Sequence, residues 1–384
     1  MAEYITKINE KGNIAVDDNI LVKDYLCTAG SKILTGFNPL VSAECVVRLQ
    51  NKGYTIKGKT NVGEFGLDFL GETSAYGQTI KDGKLVGAGA SLVESEDVKA
   101  LISVDLNGTP RRASAVSNVK FIKPTYGTVS RYGVVACACS GETVGVTAKT
   151  TDTLIEVLSV ISGHDKKDGT SLDREYEYFA QEKAFKVAVI KELKNESLDD
   201  TIEKLTAKGC EVKEISIKEI NEIATAWQIL MSAETCNNIS RFDGVKYGLR
   251  SENYTDIEDL YVNTRTEGFG FLTKATLIYG STVLSKNKYN DCYDKSLKIR
   301  GVAKEIIKQI FADYDLILCP AYSGKEYLLD DLAKNGFEIC FEESKYTALA
   351  SITGLPAMVT NGVQIISDYF NENALFGVSK ILEK

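Results

Sequence analysis

The stretch "DLNGTPRRASAVSNVKFIKPTYGTVSRYG" (105–133) joins two unlike halves. In the first, Thr109 stands between Gly108 and Pro110. The β-methyl of a threonine stiffens χ1 and crowds its hydroxyl, and a proline removes a backbone donor and fixes φ beside it. The second half continues as "KPTYGTVSRYGVVA" (123–136) and gains meaning only beside other segments of the chain. Just upstream, "KALISVDL" (99–106) reads as a buried strand, and residues 64–90 are dense in glycine, which implies loops with unusual backbone angles. Farther out, "AECVVRLQNK" (43–52) has helical spacing, "YTIKGKT" alternates as a strand, and "TDTLIEVLSVIS" (151–162) reads as a capped amphipathic helix. Residues 186–216 form a β-α-β unit, with "KVAVI" and "EVKEISI" as strands around a helix closed by Gly209. Helical stretches at 218–240 and 295–312 and a strand, "YDLILCP" (314–320), complete the alternation. An α/β fold follows, a mixed central β-sheet covered by α-helices. No linker or repeat divides it, so a single domain over residues 1–384 is expected.

The chain has 53 acidic and 45 basic residues, a net charge of −8. That balance disfavours a surface that tracks phosphates over the whole molecule, so any nucleic acid is expected on a partner. The nine cysteines are scattered without a Cys-x-x-Cys pair, which points to reduced, mostly buried thiols in a cytoplasmic protein and to neither zinc nor a disulfide framework. The single histidine, His164, lies in a polar turn, so histidine-based triads have nothing to build on. No apolar run is long enough to span a membrane. "GYTIKGKT" (53–60) matches the phosphate-loop pattern to the letter. It has a helix before it and a strand inside it, the reverse of what backbone N–H convergence on phosphate needs, so nucleotide binding is set aside. No cofactor or metal is expected.

Seven segments, in order, carry a resemblance: "TAGSKIL" (28–34), "GKTNVGEFG" (58–66), "KPTYGTVSRYGVVA" (123–136), "ISGHDKKDGTS" (161–171), "SRFDGVKYG" (240–248), "RTEGFG" (265–270) and "ITGLPA" (352–357). Together they resemble the amidase signature family, most closely its glutamyl-tRNA(Gln)/aspartyl-tRNA(Asn) amidotransferase A subunits. The resemblance implies the amidase signature fold and a Ser-Ser-Lys triad. In it a desolvated lysine is the base, a serine held by a cis peptide relays the proton, and a second serine attacks the amide while backbone N–H groups hold the oxyanion. It also implies B- and C-type partner subunits, and a helical N-terminal segment of which this sequence carries little.

Carried across residue by residue, the triad is replaced throughout. Asp17 stands at the lysine position, Leu85 at the relay serine and Thr109 at the nucleophile. Leu106 and Asn107 replace a threonine and a glycine, whereas Gly108 and Arg111 are retained. The arginine that grips the glutamine carboxylate has no equivalent among Lys274, Ala275 and Thr276, and the acidic residue facing its amine falls near Glu343. Contacts to a small amide or amino-acid ligand are therefore expected at Asn107, Gly108, Arg111, Lys274 and Glu343. Trp227 and Gln228 stand where tyrosines are usual. Two readings follow: a degenerate amidase that serves as a non-catalytic subunit, scaffold or ligand-binding protein, or an amide hydrolase or glutamine-dependent amidotransferase rewired around Thr109. In the second, Asp17, Lys84 or Lys120 would supply the base, and Cys137 or Cys139, in what reads as a buried strand, offers another nucleophile.

Overall fold

Thirteen strands organise the chain in the computed structural model, which describes residues 3–383. They are β1 (Tyr4–Lys7), β2 (Ile14–Asp17), β3 (Ile56–Thr60), β4 (Ile80–Lys81), β5 (Lys84–Leu85), β6 (Ala100–Asp105), β7 (Lys120–Lys123), β8 (Thr143–Ala148), β9 (Lys186–Ile190), β10 (Glu211–Ile215), β11 (Leu316–Pro320), β12 (Ala357–Thr360) and β13 (Val363–Ser367). Eleven of them form one mixed sheet in the order β1-β3-β2-β6-β8-β7-β12-β13-β11-β9-β10, and β4 and β5 pair separately as a small hairpin. Parallel pairing is confined to β3-β2-β6 on one side and β11-β9-β10 on the other, with an antiparallel middle. The β12–β13 hairpin turns on Asn361 and Gly362, both at positive φ (50° and 76°), which is the pair a two-residue turn favours because its twist matches the strands.

Both faces of the sheet are covered, so its central strands are buried throughout and alternate only in which face they serve. In β6, Leu101 packs on one face, against the core built around the helix Ile220–Ile239. Ala100, Ile102 and Val104 face the other, against the helices Glu44–Asn51, Thr151–Ile161 and Glu372–Glu383. The helix Thr151–Ile161 begins at Thr150, whose hydroxyl accepts from the Thr153 N–H. At the sheet's edge β10 is largely exposed and carries Glu211, Lys213 and Glu214.

Two expectations meet their structural outcome here. "GYTIKGKT" is the end of a helix followed by β3, and Lys59 is fully buried with its ammonium 2.9 Å from Asp18. The segment around Cys137 is not a strand, because the backbone N–H groups of Cys137 and Ala138 turn inward onto the buried Glu142 carboxylate. Burial pushes the Cys137 thiol well up from its ordinary value, so this sulfur is not an activated nucleophile.

Arg111 ties the parts together. It is fully buried, and all five of its donors are engaged: Nε and one Nη with both Asp105 oxygens (2.8 and 2.9 Å), the rest with Thr347 O, Gln364 Oε1 and Ser351 Oγ. One guanidinium thus joins β6, β13 and the helix Ala348–Thr353, and fixes the helix Thr109–Val116 on which it sits. The expected ligand contact at Arg111 is corrected by this geometry, since no donor remains for a ligand. Replacing Arg111 by methionine strands the Asp105 carboxylate in the core. This change is expected to lower unfolding free energy by about 3–5 kcal/mol in urea denaturation; a loss below about 1 kcal/mol would show the network to be dispensable.

Candidate active site

Thr109 is the first residue of its helix, with Gly108 as the N-cap at φ +88°. A Cβ on Gly108 would lie 2.5–2.7 Å from the Thr347 side chain, so both the turn and the close approach require glycine. The Thr109 hydroxyl donates to the Asp68 carbonyl at 2.7 Å. A serine-type nucleophile needs its proton taken by a base, and here a backbone carbonyl holds it.

Asp17 ends β2 and is 8% exposed. Burial pushes its carboxyl up to about 7 against the pull of hydrogen bonds from Thr60 and Ser103, and Asp18 adds to the rise. Asp17 and Thr109 line the same cavity, together with Asn19, Ser103, Ser114 and the start of the helix Ala88–Glu94. This cavity measures about 50 Å³. It has room for a few waters and falls far short of the ~150 Å³ that takes a benzene ring. Of two residues that line it, Asn19 and Ser114, the buried Oδ1 and Oγ have no hydrogen-bond partner. Neither residue stood out in the sequence: Asn19 follows Asp18 in "DDNI", and nothing flags Ser114.

Leu85 does not join them. It sits in the β4–β5 hairpin and lines a different cavity, and no peptide bond among the described residues is cis. Leu85 therefore does not share one space with Asp17 and Thr109. No lysine lines the Asp17–Thr109 cavity. Lys84 pairs with Glu326 on the surface, and Lys120 bonds Thr360 and faces Glu383. Burial lowers the Lys123 amine to about 7, but its Nζ is held by the Leu355 carbonyl at 2.7 Å.

The remaining expected ligand contacts are committed to the scaffold. Buried Asn107 accepts from Trp227 Nε1 (3.3 Å) and Gln228 Nε2 (3.1 Å) through its Oδ1. These three residues satisfy one another, a pairing that sequence spacing hides. Glu343 accepts from the Ser323 N–H and the Tyr327 hydroxyl. Lys274 donates to Thr266 O. Buried Arg112 donates to the carbonyls of Phe69, Asn107 and Asp68 and so fixes the loop that holds the Thr109 proton.

Because the Asp17 carboxyl is raised from 3.8 to about 7, the native state keeps a proton that the unfolded chain loses. Its contribution to stability thus falls as pH rises between those values, by up to roughly 4 kcal/mol. Asp17→Asn fixes the neutral state. It is expected to stabilise the protein by about 2–4 kcal/mol at pH 8 and little at pH 4 in urea denaturation at both pH values. An equal effect at both would show that the carboxyl titrates normally.

Comparison with known proteins matches this geometry to a family. The Amidase family model matches residues 13–376. The A subunit of glutamyl-tRNA(Gln) amidotransferase from Agathobacter rectalis is 33% identical over 401 aligned residues, covering 97% of this chain and 80% of that protein. Its counterpart in Clostridium botulinum is 32% identical, with 97% and 82% covered. Among solved structures, the counterpart from Thermotoga maritima superposes with a TM-score of 0.81 at 24% identity, covering 100% of this chain and 87% of that one. A 6-aminohexanoate cyclic dimer hydrolase complexed with substrate shares the fold at a TM-score of 0.78 and 18% identity, with 97% and 84% covered. The chain, with its large mixed sheet flanked by helices, belongs to the amidase signature family.

Proposed function

We propose that this protein is a degenerate amidase: a non-catalytic subunit or scaffold of an amidotransferase-type assembly, or a ligand-binding protein. The observation that carries the reading is the Thr109 hydroxyl, whose proton goes to the Asp68 carbonyl in a cavity that no lysine lines. Loss of a single member of a nucleophile–base unit costs a factor of ~10³ or more in rate, and here Asp17, Leu85 and Thr109 stand at all three positions. The glutamine side of the site supports the same reading, because Lys274 is turned to Thr266 and offers no bidentate grip on a carboxylate. B- and C-type amidotransferase subunits are the partners the family relationship suggests. With a net charge of −8, RNA would be held by such a partner rather than by this chain. No described helix is long and apolar enough to cross a membrane.

One observation favours a second reading. Asp17, with its carboxyl near 7, lines the same cavity as Thr109 and has the proton affinity of a general base. In that case the protein is an amide hydrolase with Thr109 as nucleophile, and activity rises as Asp17 ionises.

Purified protein incubated with glutamine, asparagine and simple amides is expected to release ammonia only at background rate, unchanged by Thr109→Ala. Affinity purification under native conditions is expected to recover B- or C-type subunits. Ammonia release that rises between about pH 6 and 8 and disappears in Thr109→Ala would replace the first reading by the second.

A further inference from the structure

Between the β4–β5 hairpin and the 321–332 segment lies a cavity of about 190 Å³. The side chain of Leu70 lines it on one side and the Asp17–Thr109 cavity on the other. Phe69, Leu70, Leu85, Val116 and Leu332 give it an apolar part beside Tyr322 and Tyr327, and Lys84, Lys325 and Glu326 make another part of its lining polar. These rings stand edge-on to Phe69, with centroids 6.4 and 5.2 Å away and interplanar angles of 64° and 82°.

The polar groups around this space are mostly engaged elsewhere. The Tyr327 hydroxyl donates to Glu343, and Lys84 pairs with Glu326 at the mouth. The Arg112 guanidinium lies 5.2 Å from the Phe69 ring centroid and gives its hydrogen bonds to carbonyls. Two features at the mouth are left open. Leu328 is 71% exposed, and the Lys325 ammonium has no ion-pair partner among the described residues.

Volume and lining select the guest. A cavity of ~150 Å³ takes a benzene ring, and the three aromatic side chains in the lining favour a flat ring over a bulky aliphatic one. A sugar or an amino-acid backbone placed here would bring polar atoms with few partners. An anionic group at the mouth, in contrast, meets Lys325.

We propose that this pocket binds a monocyclic aromatic acid, with its ring against Phe69 and Leu85 and its carboxylate at Lys325. The proposal rests on the non-catalytic reading to the extent that it gives Leu85, at the relay-serine position, to ligand packing rather than to proton transfer.

The test is a set of calorimetric and ligand-observed NMR titrations of the full chain with benzoate, benzamide, cyclohexanecarboxylate and acetate. Benzoate is expected to saturate with Kd of about 1 mM. Benzamide is expected to bind about threefold more weakly, as befits one exposed charge pair, and acetate not at all. Lys325→Gln, a change at the exposed rim, is expected to erase the difference between benzoate and benzamide. Leu85→Trp is expected to abolish binding of both by filling the space; should that variant fail to fold, Lys325→Gln still decides. Absence of saturable benzoate binding, equal binding of cyclohexanecarboxylate, or an undiminished benzoate preference in Lys325→Gln overturns the proposal. Conversion of benzamide to benzoate and ammonia would defeat the non-catalytic reading and leave the binding result standing.

Discussion

The bidentate pair between Arg111 and Asp105 is the constraint from which the rest of the centre follows. A guanidinium in a protein interior stays charged, so every donor must find an acceptor and the acceptors must be rigidly held. Asp105 sits on β6 and supplies two of them, and the other three come from Thr347, Ser351 and Gln364. The helix that starts at Thr109 is thereby locked to the sheet and to the C-terminal third of the chain. The position of Thr109 is inherited from this frame and does not depend on any chemistry at the residue itself. Asp17, Leu85 and the Thr109 side chain take no part in this lock.

Around the lock, substitutions come in compensating sets. Asn107 would bury an unsatisfied amide oxygen if it stood alone, and Trp227 and Gln228 supply the two donors that satisfy it. Trp227 in turn fills the space above Gly141, where a Cβ would sit 2.0 Å from the indole ring. Arg112, next to Arg111, holds the 66–72 loop by its carbonyls, and that loop accepts the Thr109 proton. The region is a packed interior with one small polar void, not an open cleft with one piece removed.

Much of the fold was legible in the sequence. Alternation marked β3, short continuous apolar runs marked β6, β9 and β11, and helical spacing marked the helices Glu44–Asn51, Thr151–Ile161 and Ile220–Ile239, because a strand covered on both faces reads as a run and a helix stripe leaves a 3.6 period. The β12–β13 turn was legible in principle through its Asn-Gly pair. The segment around Cys137 was misread because its apolar letters resemble a strand, whereas the buried Glu142 carboxylate bends its backbone. At the site, motif order singled out Asp17, Leu85 and Thr109, of which Asp17 and Thr109 line one cavity. Their surroundings could not be read from it: that Leu85 lines another cavity, that Arg111 has no free donor, or that the buried Asn19 Oδ1 and Ser114 Oγ lack partners are facts of three-dimensional packing between residues far apart in the chain.

The charged outer strand β10 has a bearing on how copies or companions of this chain meet. An unpaired strand border invites another strand to dock by backbone hydrogen bonding, and glutamates and a lysine along that border oppose it. Glu211 and Lys213 pair with each other along the strand, and Glu214 reaches back to Lys194. The rim on that side is therefore closed to lateral growth of the sheet, which protects against runaway stacking. Association there has to proceed by side-chain contact with the flanking helices.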